Sequence, residues 1–103
     1  MIVVNDGSTD GSKDILDRLH SELTFTLIHK PNEGKGSALR RGFEAVTGDL
    51  VVIQDADLEY NPDDYAALIA PILAGQTRVV YGSRFLALGP LGRPTGMHPT
   101  NWV

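Results

Sequence analysis

Cysteine is absent from the 103-residue sequence. Disulfides, thiolate zinc sites and cysteine nucleophiles are therefore excluded. No apolar run approaches the roughly 20 residues of a membrane span. The opening Met1-Ile2-Val3-Val4-Asn5-Asp6 lacks the basic stretch and long apolar segment of a signal peptide. A cytoplasmic protein, at most peripheral at a membrane, is expected. Basic residues are in the minority, 9 Lys+Arg against 13 Asp+Glu, for a net charge of −4. That balance argues against a nucleic-acid or anionic-membrane surface. A local cation or a metal could still hold a phosphate.

What is present reads as alternating strands and helices. Ile2-Val3-Val4 is a β-branched run that stops at Asn5-Asp6-Gly7. Ile15, Leu16, Leu19 and Leu23 recur at helical spacing, which predicts a helix from about Ser12 to Glu22. Thr24 to His29 predicts a second strand. Leu39, Phe43 and Val46 mark one face of a helix over Gly36 to Thr47, with Gly48 suited to a left-handed cap. Leu50-Val51-Val52-Ile53 predicts a strand covered on both faces. Asn61-Pro62-Asp63-Asp64 is a helix start, with a capping Asn, Pro in the first turn and acids at the positive end of the dipole. Pro71 should kink or restart that helix. Arg78-Val79-Val80-Tyr81 predicts a last strand. Such alternation implies an α/β fold, a mostly parallel sheet with helices on both faces. Residues 87–103, rich in Gly and Pro, are expected to be irregular or disordered.

Ligands of such sheets bind beyond the carboxyl ends of the strands. Three polar clusters fall there: Asn5-Asp6-Gly7-Ser8, Gln54-Asp55-Ala56-Asp57-Leu58-Glu59 and Gly82-Ser83-Arg84. Asp55 and Asp57, one residue apart where a strand ends, offer hard oxygens suited to Mg²⁺ or Mn²⁺. Glu59 continues the spacing. A solvated acidic turn is the bland alternative, weakened by the apolar strand just before it. Arg84 could grip a diphosphate or simply be a surface residue. Asp6 could accept base or ribose donors, or cap the turn.

Other readings fit less well. Counted from Asp55, a calcium-loop reading needs Gly and Glu where Tyr60 and Ala66 stand. Gly34-Lys35-Gly36 completes neither the phosphate-loop nor the dinucleotide pattern. Its small residues could let a helix pack closely. His20, His29 and His98 share no ligand spacing and are expected to be structural or exposed. A phosphatase-like hydrolase with Asp55 as nucleophile remains an alternative.

The segments Val3–Ser12, Asn32–Leu39 with Gly42, Gln54–Tyr60 with Pro62, and Val79–Phe85 resemble, in order and approximate spacing, four motifs of family 2 glycosyltransferases of the GT-A type. Each motif is weak alone; four in register are specific. Their wording is similar to the polyprenyl-phosphate sugar transferases, such as dolichol-phosphate mannose synthases and related glucosyl enzymes. The resemblance covers about residues 2 to 86 and implies a partial GT-A, Rossmann-like nucleotide-sugar-binding domain over residues 1–86.

It further implies a nucleoside-diphosphate sugar donor, GDP-mannose or UDP-glucose, a lipid-phosphate acceptor, and inversion at the anomeric carbon. Asp6 would contact the nucleoside. Asp55 and Asp57, assisted by Glu59, would hold Mg²⁺ or Mn²⁺ on the diphosphate, and Arg84 would offset phosphate charge. No general base is identified. The family's first strand, ending in Pro-x-Tyr/Asn-Glu, is missing here. Because it lies between the strands that begin at Ile2 and Leu50, both would be left with an unpaired apolar edge. A non-catalytic truncated remnant, or a weak nucleotide binder, is the competing expectation.

Overall fold

The computed structural model describes residues 1–57 and 60–82. They fall into two compact units, Met1–Val51 and a second that begins at Val52.

In the first unit, strand β1 (Ile2–Asp6) is followed by helix α1 (Ser12–Glu22), strand β2 (Thr26–Lys30) and helix α2 (Lys35–Phe43). β1 and β2 pair in parallel, with Val4 opposite Ile28, Asn5 opposite His29 and Asp6 opposite Lys30. The helix between two parallel strands is the crossover that such pairing requires. Successive strand residues face opposite ways. On one face, a Cβ added to Gly42 of α2 would lie 3.4 Å from Val4 Cγ2. On the other, His29 Nε2 meets Asp17 Oδ1 of α1 at 2.8 Å. The helices therefore cover opposite faces of the two-stranded sheet, as the alternating pattern requires.

The close approach of α2 to the sheet is made at Gly42. Gly36 faces open space, so the small residues of Gly34-Lys35-Gly36 do not serve close packing. Leu16 and Leu19 of α1 and Ala38 and Leu39 of α2 are half-buried. Phe25, 8% exposed, is the buried hydrophobic residue among those described, and His20 meets its ring edge-on at 5.1 Å.

α2 ends at Phe43, short of the expected Thr47. Its last turn closes through Glu44 in right-handed geometry, and Gly48 does not adopt the left-handed cap.

In the second unit, Asn61 caps as expected. Its side chain accepts from Asp63 N at 3.1 Å, over a single 3₁₀ turn, Pro62–Asp64. Helix α3 (Tyr65–Leu73) follows and contains Pro71. Pro71 does not restart the helix; it lies within the last turn, where its missing N–H forgoes a single intrahelical bond close to the helix end. Gly75 (φ 69°) terminates α3. Gln76 N donates to Pro71 O at 3.0 Å and Gly75 N to Ile72 O at 2.9 Å, the paired closure of a Schellman motif.

The two further strands do not form among the described residues. Leu50–Ile53 and Arg78–Tyr81 enter no strand pairing. Leu50, Val51, Val52 and Ile53 are 41%, 50%, 43% and 53% exposed, and Tyr81 is 89% exposed. An apolar run specifies a strand only where a neighbouring strand takes up its backbone donors and acceptors. No described helix is long and apolar enough to cross a membrane. The predicted irregular tail, residues 87–103, lies outside the described residues.

Candidate functional site

The carboxyl ends of β1 and β2 are joined by two sets of polar contacts. Asn5, 6% exposed, is the buried polar residue among those described. Its Oδ1 accepts from Ser8 N at 3.0 Å and so shapes the turn that leaves β1. Its Nδ2 meets His29 Nδ1 at 3.1 Å. An amide nitrogen only donates, so His29 Nδ1 is the acceptor and Nε2–H donates to Asp17. Asp17 also accepts from Lys13 at 2.8 Å, and both bonds, Lys13 first, hold its carboxyl below the ordinary value. A chain of polar contacts thus runs from α1 through β2 to the turn after β1.

The next residue, Asp6, is held from three sides. Its Oδ1 accepts from Lys30 Nζ at 2.6 Å and from Glu33 N at 3.1 Å; its Oδ2 accepts from Gly34 N at 2.8 Å. Lys30 is nearly buried and donates as well to Pro31 O at 2.6 Å and to Glu33 Oε2 at 3.0 Å. The Lys30 ammonium and the two amides lower the Asp6 carboxyl against the opposing effect of burial. Asp6 raises the Lys30 ammonium in return, with Glu33 assisting. Lys30 and then Ser37 lower Glu33. At pH 7 Asp6 is therefore a carboxylate, able to accept but not to donate.

Gly7 completes the junction. Its φ is +69°, and a Cβ there would lie 2.6 Å from Asn32 N. Only glycine satisfies both the left-handed backbone and this approach. Gly34, at φ +87°, precedes α2 with open space around it, so its requirement is conformational alone. Two of the four sequence motifs, Asn5–Ser8 and Asn32–Leu39, are thereby brought together.

The remaining site residues belong to the second unit or lie outside the described residues. Asp55 is half-buried and Asp57 exposed. Gln54 just before them donates to Asp55 O at 2.9 Å and accepts from Tyr65 OH at 2.6 Å, which ties the segment to the start of α3. Glu59 and Arg84 lie outside the described residues. Among those described, no three His, Asp or Glu side chains group as a metal site. Asp55 and Asp57 still provide hard carboxylate oxygens two residues apart, the donor chemistry a divalent cation takes. The expected convergence of three clusters at one sheet edge reduces, among the described residues, to the first cluster at the end of β1. The other two follow segments that form no strand.

Sequence reasoning did not single out Lys30 and read His29 only as structural or exposed, so their bonds to Asp6 and Asn5 were not foreseen. The signal was available in the register: once β1 and β2 pair, Asn5 stands opposite His29 and Asp6 opposite Lys30.

A model of glycosyl transferase family 2 matches residues 1–99. The chain is 34% identical over 90 residues to a dolichol-phosphate mannosyltransferase of Pyrococcus furiosus, covering 86% of this chain and 25% of that protein. It is 36% identical over 72 residues to an undecaprenyl-phosphate 4-deoxy-4-formamido-L-arabinose transferase of Serratia proteamaculans, covering 67% and 22%. An uncharacterised glycosyltransferase of Nostoc sp. is 38% identical over 64 residues, covering 60% and 20%. The chain thus spans a fifth to a quarter of the length of these curated relatives. No solved structure matches it.

Proposed function

Because the chain belongs to glycosyl transferase family 2, we propose that it carries the donor side of a sugar transfer from a nucleoside diphosphate to an acceptor, a polyprenyl phosphate. The observation that carries this reading is the Asp6 junction, an ionised and partly exposed acceptor fixed at the carboxyl end of β1 by the loop before α2. Strand ends of this kind are where α/β sheets take their ligands. Asp6 accepts N–H or O–H donors from the nucleoside. Asp55 and Asp57, with Glu59, would hold Mg²⁺ or Mn²⁺ on the diphosphate, and Arg84 offsets its charge. Such a cation stabilises the negative charge that develops on the departing nucleoside diphosphate.

In the transfer itself an acceptor phosphate oxygen bonds to the anomeric carbon as the bond to the diphosphate breaks, with inversion. A lipid phosphate is already anionic, so no strong base is needed. The acceptor class is supported by the names of the Pyrococcus and Serratia relatives, both transferases acting on polyprenyl-type phosphates.

The exposed Leu50–Ile53 run favours a second reading, in which these 103 residues bind nucleotide weakly without turnover. Calorimetric titration of the full chain with GDP-mannose and with UDP-glucose in Mn²⁺ tests the donor site. Metal-dependent binding that disappears in Asp57→Ala is expected; binding indifferent to metal and to Asp57 would overturn the site. Sugar transfer to a polyprenyl phosphate by the chain would rule out the second reading.

A further inference from the structure

The three bonds to Asp6 bear on which base it can accept. A carboxylate offers about four lone-pair directions, two on each oxygen. Lys30 Nζ and Glu33 N take both directions on Oδ1, and Gly34 N takes one on Oδ2. At most one direction, on Oδ2, is left for a ligand. The Asp6 side chain keeps 19% of its surface in solvent, and the Lys30 side chain 11%.

We infer that Lys30 is a specificity-determining residue for the base: by taking the direction on Oδ1 that Glu33 N leaves, it limits Asp6 to a single base donor. The inference rests on the donor-site reading of Asp6. Bases differ in what they present to a carboxylate. A uracil-type imide offers one ring N–H between two carbonyls. A guanine-type edge offers a ring N–H beside an amino group, a pair that matches both oxygens of a carboxylate at once. Lys30 denies that second contact. A guanine edge would then have to displace an existing bond to Asp6 or leave its amino group unpaired, and an unpaired buried donor is penalised. The other two Lys30 acceptors, Pro31 O and Glu33 Oε2, anchor the ammonium in this position, so it does not swing aside without breaking all three contacts.

The probes are UDP and GDP, titrated in Mn²⁺ against the full chain and its Lys30→Met and Lys30→Arg variants, with folding checked by circular dichroism. The full chain is expected to bind UDP at least about tenfold more tightly than GDP, the difference one unmade hydrogen bond produces. Lys30→Met opens Oδ1 and should shrink that ratio, through a gain for GDP relative to UDP. Lys30→Arg, which keeps a donor cation at the position, should retain the preference. GDP binding as tight as UDP in the unaltered chain overturns the inference even if Lys30→Met fails to fold. An unchanged ratio in folded Lys30→Met overturns it too. Binding of neither nucleotide removes the donor-site reading itself, and the inference with it.

Discussion

Ile2-Val3-Val4 and Leu50-Val51-Val52-Ile53 are nearly the same in chemistry and differ in outcome. The first is half-buried, paired in register with β2 and covered by a helix on each face; the second pairs with no strand and keeps about half its surface in water. Fully burying an aliphatic side chain stabilises by about 1.5–3 kcal/mol, and side chains left half exposed gain only part of that. Hydrophobicity is therefore not what separates the two segments. What β1 has is a crossover helix that returns a second strand alongside it, with Asn5 and Asp6 cross-linked to that strand at its end.

If that junction is what holds the first region, damage to it should have the largest effect. Gly7→Ala adds a methyl group 2.6 Å from Asn32 N at a positive φ. A left-handed alanine costs about 1–2 kcal/mol and overpacking about 1–3 kcal/mol. A loss of about 2–5 kcal/mol in urea unfolding of the full chain is expected. Gly34→Ala has the backbone strain without the collision and should lose less. Gly36→Ala, in α2 with open space around it, should be neutral or stabilising by up to about 1 kcal/mol. Equal effects at Gly7 and Gly36 would mean that the two loops do not hold each other.

The contrast can be broken directly by amide hydrogen exchange. Amides bonded between β1 and β2 open only with local unfolding, whereas those of Leu50–Ile53 have no partner strand among the described residues. Protection of the hydrogen-bonded β1 and β2 amides should exceed that of residues 50–53 by a factor on the order of 100. Comparable protection in both segments would show that their difference in pairing is not a difference in stability.

Much of the first region was legible in the sequence because its signals are local. The apolar spacing of Leu16 and Leu19 set α1 at Ser12–Glu22; in the second unit, Asn61-Pro62 likewise marked a helix start that the structure caps as expected. Membership of the glycosyltransferase family was legible in four motifs, which the match over residues 1–99 bears out. The fate of Leu50–Ile53 as a strand was not legible from its own residues, because it depends on neighbours elsewhere in the chain. Lys30 stayed hidden for a related reason. A lysine before Pro31 reads as loop until the parallel register sets it opposite Asp6. His29 was read as structural or exposed, and its bonds to Asn5 and Asp17 appear only when three elements are assembled.

The smallest expected effect is electrostatic. Unfolded, Asp6 and Glu33 titrate near about 3.9 and 4.3. Folded, both titrate lower, chiefly because Lys30 donates to them. As pH falls below about 4 the unfolded chain therefore takes up more protons than the folded one, and stability declines until the folded carboxyls also protonate. Lys30 acts at the other end of the scale. Its ammonium is raised by Asp6, so its contribution is complete below about 10.4 and is lost as pH climbs through the folded value above that. Melting temperatures of the full chain and of Lys30→Met, taken between about pH 2 and 7, should converge toward the acid end. The acid slope that survives in Lys30→Met belongs to Asp10 and Asp17, which Ser12 and Lys13 hold low without it, and to what the Glu33 and Gly34 amides and Ser37 still do for Asp6 and Glu33. Because all these groups touch solvent, the difference should shrink in 1 M salt, where the screening length falls to about 3 Å. Parallel melting curves for the two proteins across the acid range would show that the Lys30–Asp6 pair, despite its 2.6 Å contact, contributes nothing to holding the ends of β1 and β2 together.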